Sequence, residues 1–203
     1  MSHDTSLEIP QDGYDAVIFD LDGTLVDSMP AHFTAWCEAL AKHDAPNVFP
    51  EDVFYALGGR PTKDIVAELN GECGLNLDPE EVAVDKRNAF LKNIDQVVVI
   101  DEVVEFARSK RGKMPMAIAT GGTRIVAEKT LQICGLSDLF DEVVTANDVK
   151  CGKPAPDIYL EVADRLEIAP ERCLVFEDAP AGIMAAQSAG MTVVSVPAPV
   201  RVV

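Results

Sequence analysis

Two aspartates stand two positions apart in "AVIFDLDGTLVDS", residues 16–28, directly after the apolar run Ala16–Phe19. A short apolar run followed by acids and a glycine predicts a buried strand that ends in a turn. In extended chain, residues i and i+2 point the same way, so Asp20 and Asp22 can face one pocket while Gly23 lets the backbone turn behind them. Carboxylates this close repel each other unless something positive sits between them. Taken alone, the stretch also reads as a surface turn, because Asp, Gly and Thr are ordinary turn residues.

Three later stretches decide between these readings. "MAIATGG" runs from an apolar strand into Thr120, Gly121 and Gly122 just before a helix. A hydroxyl and free backbone N–H groups at a helix N-terminus suit a phosphate oxygen, although such a turn also simply caps helices. "KCGKPAPDIYL" mounts Lys153 rigidly before two prolines and a helix, as one fixed cation or as a solvated lysine. "CLVFEDAPAGIMAAQSAGM" ends a strand with Glu177 and Asp178, adding acids to a site that already holds two. Hard oxygen ligands with few protein contacts suit Mg²⁺.

The elements that must position these groups follow from hydrophobic pattern. Strands are predicted over 16–19, 116–119, 142–145, 173–176 and 192–196, each short, apolar and β-rich. Between them, Ala127, Leu131 and Cys134 repeat at helical spacing before Gly135, and Ile158, Val162 and Leu166 do so after Pro156. Alternation of strand and helix predicts an α/β fold, a Rossmann-like doubly wound parallel sheet with helices on both faces, whose ligands bind at the carboxyl ends of the strands.

The region 30–94 breaks the alternation with amphipathic helices and no convincing strand. "HFTAWCEAL" puts Phe33, Trp36, Cys37 and Leu40 on one face, which reads as packing. The expected organisation is a core formed by 1–29 and 95–203, with an all-helical insert over 30–94 joined to it by crossings near 27–30 and 93–96.

Composition narrows the partners. A chain of 203 residues, 48% hydrophobic and 25% charged, is long enough to bury its own core as a soluble globular protein. A formal net charge of −17 without any basic run argues against nucleic acid and anionic membrane surfaces, yet leaves room for a small anionic substrate in one locally positive pocket. Five scattered cysteines, an odd number, read as reduced thiols in the cytoplasm. The beginning of the chain has no export pattern, and no apolar run approaches the ~20 residues of a membrane span. His3 beside Asp4 reads as a solvated terminus rather than a metal site. The Phe33/Trp36 stripe and the tail "VVSVPAPVRVV" fit a monomer or a weak dimer equally well.

The four stretches, in this order and each at a strand end, resemble the four motifs of the haloacid dehalogenase superfamily, and the helical insert resembles that family's cap. The resemblance covers essentially the whole chain. It implies a phosphoryl-transfer enzyme in which Asp20 attacks phosphorus and forms an aspartyl-phosphate. Asp22 would serve as acid and then base, Lys153 would offset charge, and Thr120 with the Gly121 N–H would hold phosphoryl oxygens. Mg²⁺ would take Asp20, the backbone carbonyl of Asp22 and Asp178, with Glu177 assisting through water. Branches of the family without an oxygen leaving group lack the second aspartate, so Asp22 implies an alkoxide leaving group. "ALGGRPTKDIV" is similar to the substrate loop of the β-phosphoglucomutase-like branch and makes Arg60, Thr62 and Lys63 substrate contacts. His32 matches a histidine over the site, and Lys86 is a further candidate. The cap phrases are most similar to bacterial fructose-1-phosphate and 6-phosphogluconate phosphatases. A β-phosphoglucomutase is the runner-up, although Arg60 falls two positions earlier than the mutase's arginine. A non-catalytic metabolite- or partner-binding member is the remote alternative.

Overall fold

The computed structural model describes residues 7–197. His3, Asp4 and the last residues of the apolar tail lie outside that range. The core strands are β1 (Ala16–Phe19), β4 (Met116–Thr120), β5 (Glu142–Thr145), β6 (Cys173–Glu177) and β7 (Thr192–Ser195). All pair in parallel in the order β5-β4-β1-β6-β7, the doubly wound arrangement expected from the alternation.

The three central strands, β4, β1 and β6, are buried on both faces, so period-2 alternation sorts their side chains into two layers. Val17 and Phe19 point to one side with Met116, Ile118, Leu174 and Phe176. There they pack under α5 (Asp101–Lys110) and α6 (Arg124–Ile133), and the Phe19 ring stacks on Phe176 with centroids 5.0 Å apart. Ala16 and Ile18 point to the other side with Ala117, Ala119 and Val175, under α7 (Asp157–Arg165) and α8 (Pro180–Ser188).

Between β1 and α5 the chain leaves the sheet and returns. Two strands absent from the sequence expectation, β2 (Val26–Asp27) and β3 (Val98–Val99), pair antiparallel and tie the outgoing and incoming chain together. Two residues each are too few to leave a periodic signal. The excursion holds α1 (Met29–Lys42), α2 (Glu51–Ala56), α3 (Thr62–Cys73) and α4 (Pro79–Lys92). Trp36, Leu40, Phe54, Ile65, Leu69 and Val82 form a separate apolar cluster there, while Phe90 and Ile94 at its base join the main core. One sequence expectation fails on α1: Cys37 is exposed, whereas Trp36 and Leu40 are buried. At 100° per residue Cys37 sits at the edge of the stripe, and Ala39 takes its place in the core.

Beyond β5 the backbone is fixed by Asp148, which accepts from the Thr145 N–H at 2.8 Å, the Thr145 hydroxyl at 2.7 Å and Arg124 at 2.7 Å. Burial opposes its ionisation, but these bonds and Arg165 outweigh that and hold its carboxyl down to about 2. A folded value below the ordinary ~3.9 means that this stabilisation is present above pH ~4 and is lost as pH falls towards the folded value. Asp148→Asn is therefore expected to remove about 1–2 kcal/mol at neutral pH after allowing for screening. Melting curves at pH 7 and pH 3 test this: the deficit is fully present at pH 7 and falls to roughly half at pH 3, still above the folded value.

Candidate active site

Strands β4, β1 and β6 are neighbours, so their carboxyl ends place Thr120, Asp20 and Glu177 side by side. The tight turn after Asp22 brings in the rest. Gly23 has φ +97, and a Cβ there would lie 2.3 Å from Asp178 Oδ2, so only glycine permits both the turn and the approach of Asp178. Oxygens of Asp20, Glu177 and Asp178 all lie within 4.8 Å of one another.

Lys153 is the cation beneath this cluster. It is 1% exposed, and its ammonium donates to Asp20 Oδ1 at 2.5 Å, Glu177 Oε1 at 2.6 Å and the Ala119 carbonyl at 3.1 Å. All three of its protons are thus used inside the protein. Burial disfavours its charge, but Asp20 and Glu177 more than compensate and hold Lys153 well above its ordinary value. Glu177 is fully buried and also accepts from the Tyr159 hydroxyl at 3.2 Å and the Ala179 N–H at 2.7 Å.

The acids still outnumber the cation. Burial pushes Asp20 well above the carboxylate range; Lys153 opposes this, while Glu177, Asp178 and Asp22 add to it. Burial and then Glu177 push Asp178 up to about 7, against a hydrogen bond from the Thr24 hydroxyl at 2.8 Å. Hard oxygen donors with surplus negative charge are what a divalent cation such as Mg²⁺ requires, so the residues fit one.

Asp22 is held differently. Oδ1 accepts from the Ser28 hydroxyl at 2.6 Å and faces His32 Nε2 at 3.1 Å, and Oδ2 accepts from the Thr120 hydroxyl at 3.3 Å. The other ring nitrogen, His32 Nδ1, lies 3.1 Å from Lys86 Nζ. An ammonium only donates, so Nδ1 accepts and Nε2–H is left to donate to Asp22. Burial and the Lys86 charge keep His32 below its ordinary value, which keeps it neutral at pH 7. Burial also lowers Lys86, to about 8. Burial works against ionisation of Asp22, but His32, Ser28 and Lys86 outweigh it and hold Asp22 well below the usual range.

Above these groups lies a cavity of about 740 Å³, within the range of small-molecule sites. Its floor includes Asp20, Asp22, Thr120 and Gly121, and its roof includes His32, Arg60, Thr62, Lys63 and Lys86 from the helical unit. The structure therefore brings every sequence-derived candidate to this one place except Lys153, Glu177 and Asp178, which support the floor instead of lining the cavity. Arg60 and Lys63 currently pair with Glu68, at 2.6 Å, and with Glu80. Ser28, Thr24 and Tyr159 were not legible as site residues, because hydroxyls and a helix-face aromatic carry no motif signal.

Comparison with known proteins shows the family. The model of the haloacid dehalogenase-like hydrolases matches residues 14–190. The chain belongs to that family and is a hydrolase of it. It is 40% identical over 190 residues to fructose-1-phosphate phosphatase YqaB of Escherichia coli, covering 90% of this chain and 96% of that protein. It is 34% identical over 181 residues to a phosphorylated carbohydrates phosphatase of Thermotoga maritima, covering 87% and 82% respectively. Among solved structures, β-phosphoglucomutase from Clostridium difficile superposes with a TM-score of 0.77 at 26% identity, covering 89% of this chain and 83% of that one.

Proposed function

We propose that the protein hydrolyses small sugar or sugar-acid phosphate monoesters, of the fructose 1-phosphate kind, through an aspartyl-phosphate on Asp20. The observation that carries this reading is the pair of aspartates at the floor of one closed-over cavity, one clamped on a buried lysine and the other held by His32, Ser28 and Thr120. The names of the related phosphatases support the substrate class.

Asp20 Oδ2 is the oxygen not committed to Lys153, and it is the atom that attacks phosphorus. The Thr120 hydroxyl and Gly121 N–H receive phosphoryl oxygens at the end of β4. Asp22 rests ionised, which suits the half-reaction in which it takes a proton from water. An arriving phosphate dianion raises its proton affinity through like charge, which suits the other half, in which it protonates the departing alkoxide. Mg²⁺, held by Asp20, Asp178 and the backbone carbonyl of Asp22, would neutralise phosphoryl charge when bound. Glu177 acts from behind the site by fixing Lys153. The helical unit is the cap: it shields the site from bulk solvent while the hydrolytic water stays beside Asp22, and it offers Arg60, Thr62, Lys63, His32 and Lys86 to the sugar.

A mutase reading has one observation in its favour, the structural likeness to β-phosphoglucomutase. One assay separates the two: phosphate release with Mg²⁺ from a panel of sugar and sugar-acid phosphates, with β-glucose 1-phosphate included and glucose 6-phosphate followed. Release from fructose 1-phosphate or a neighbour is the expected result. Conversion of β-glucose 1-phosphate to glucose 6-phosphate with little free phosphate would overturn hydrolysis, and silence across the panel would point to a binding protein.

A further inference from the structure

Two glycines of the sheet unit lie directly under the loop that joins α2 to α3. A Cβ built on Gly121 would come 2.8 Å from the carbonyl oxygen of Gly59. A Cβ built on Gly152 would come 2.6 Å from Pro61 Cγ and 3.3 Å from Cδ, with Pro61 Cβ next at 4.0 Å. The two positions differ in what they forbid. Gly121 is expected to offer its N–H to the phosphate, so its smallness serves that role as well. Gly152 has no such duty, and its φ lies outside the left-handed region, so its own backbone accepts an alanine. The three heavy atoms nearest to an added methyl all belong to Pro61, in the helical unit. Alanine at 152 is therefore refused by the helical unit rather than by the sheet unit that contains it.

We propose that Gly152 is the seat on which the 57–61 loop closes. Its bare backbone lets the Pro61 ring descend to contact and so sets how deeply Arg60 and Thr62 are lowered towards a bound substrate. Gly152 is a positioning residue for substrates long enough to reach the helical unit, and it takes no part in phosphoryl transfer itself. The cavity supports this division, since Gly152, Pro61, Arg60 and Thr62 line it together above the Asp20 floor. This inference rests on the phosphatase reading for its substrate assay.

The test is a double-mutant cycle of Gly152→Ala and Pro61→Ala in the full chain. Phosphate release is measured from fructose 1-phosphate and from acetyl phosphate, which has no sugar to extend to Arg60 and Thr62, and amide hydrogen exchange is followed in peptides spanning 57–62. Gly152→Ala is expected to raise KM for fructose 1-phosphate about tenfold, to change acetyl phosphate turnover less than about twofold, and to speed exchange in the loop. Introduced into the Pro61→Ala background, where Cγ and Cδ are gone, the same change is expected to cost less than about twofold and to leave exchange at the Pro61→Ala level. Equal losses on both substrates, a loss that persists without the proline ring, or no change in activity and exchange would each overturn the proposal. If the wild type hydrolyses neither substrate, it is the phosphatase reading that fails. The exchange arm then still decides: faster loop exchange in Gly152→Ala that is absent in the double variant supports the seat, and unaltered exchange overturns it.

Discussion

Asp20→Asn is expected to lower phosphate release at saturating sugar phosphate and Mg²⁺ by at least about a thousandfold, the scale of loss when a covalent nucleophile is removed. The fold should survive the change. Asparagine keeps an oxygen for Lys153, and Lys153 keeps Glu177 and the Ala119 carbonyl, so the ammonium is not orphaned. A melting temperature within a few degrees of wild type, together with lost turnover, would isolate the chemical role. Activity within about tenfold of wild type would mean that another group attacks phosphorus. The nearest alternative is Asp22, and the geometry opposes it: both of its oxygens are already bonded to Ser28, His32 and Thr120. Those contacts hold it where an acid and base belongs.

Much of this was legible in the chain because the fold places strand ends, and strand ends are local features. The apolar run Ala16–Phe19 and the residues just beyond it fix where Asp20 stands, and alternation with helices implies the parallel sheet that aligns Asp20 with Thr120 and Glu177. The helical excursion was legible for the converse reason, a long region with helical period and no strand pattern. What stayed hidden was tertiary. The two-residue ribbon of β2 and β3 is shorter than any period. The Lys86–His32–Asp22 chain joins residues from two helices and a strand-end turn, and only packing brings them within 3.1 Å. Sequence also cannot tell a lysine that faces substrate from one that faces inward. Lys153 is expected from the resemblance to offset carboxylate and phosphoryl charge together, and in the structure every one of its protons goes to Asp20, Glu177 or Ala119.

That inward orientation gives Lys153 two roles which a pair of variants can separate. Lys153→Met fills the same volume but leaves Asp20 and Glu177 without their shared cation in a site closed to solvent. Breaking a buried ion pair from one side costs about 3–5 kcal/mol, because the remaining charges are uncompensated. For a chain of this size the melting temperature should fall by roughly 10 °C. Turnover should fall at least about a hundredfold, since Asp20 loses the charge that favours its ionised form against burial and that aligns it. Adding Glu177→Gln to Lys153→Met removes one of the two orphaned charges while the amide oxygen still accepts from the Ala179 N–H and the amide NH2 can donate to the Tyr159 oxygen, which now turns its own proton elsewhere. The double variant is expected to recover a substantial part of the lost stability and almost none of the activity, because Asp20 still lacks its cation. Recovery of both would make Lys153 merely the counter-ion of Glu177; recovery of neither would mean that Asp20 alone bears the burial penalty, with Glu177 satisfied by its own hydrogen bonds.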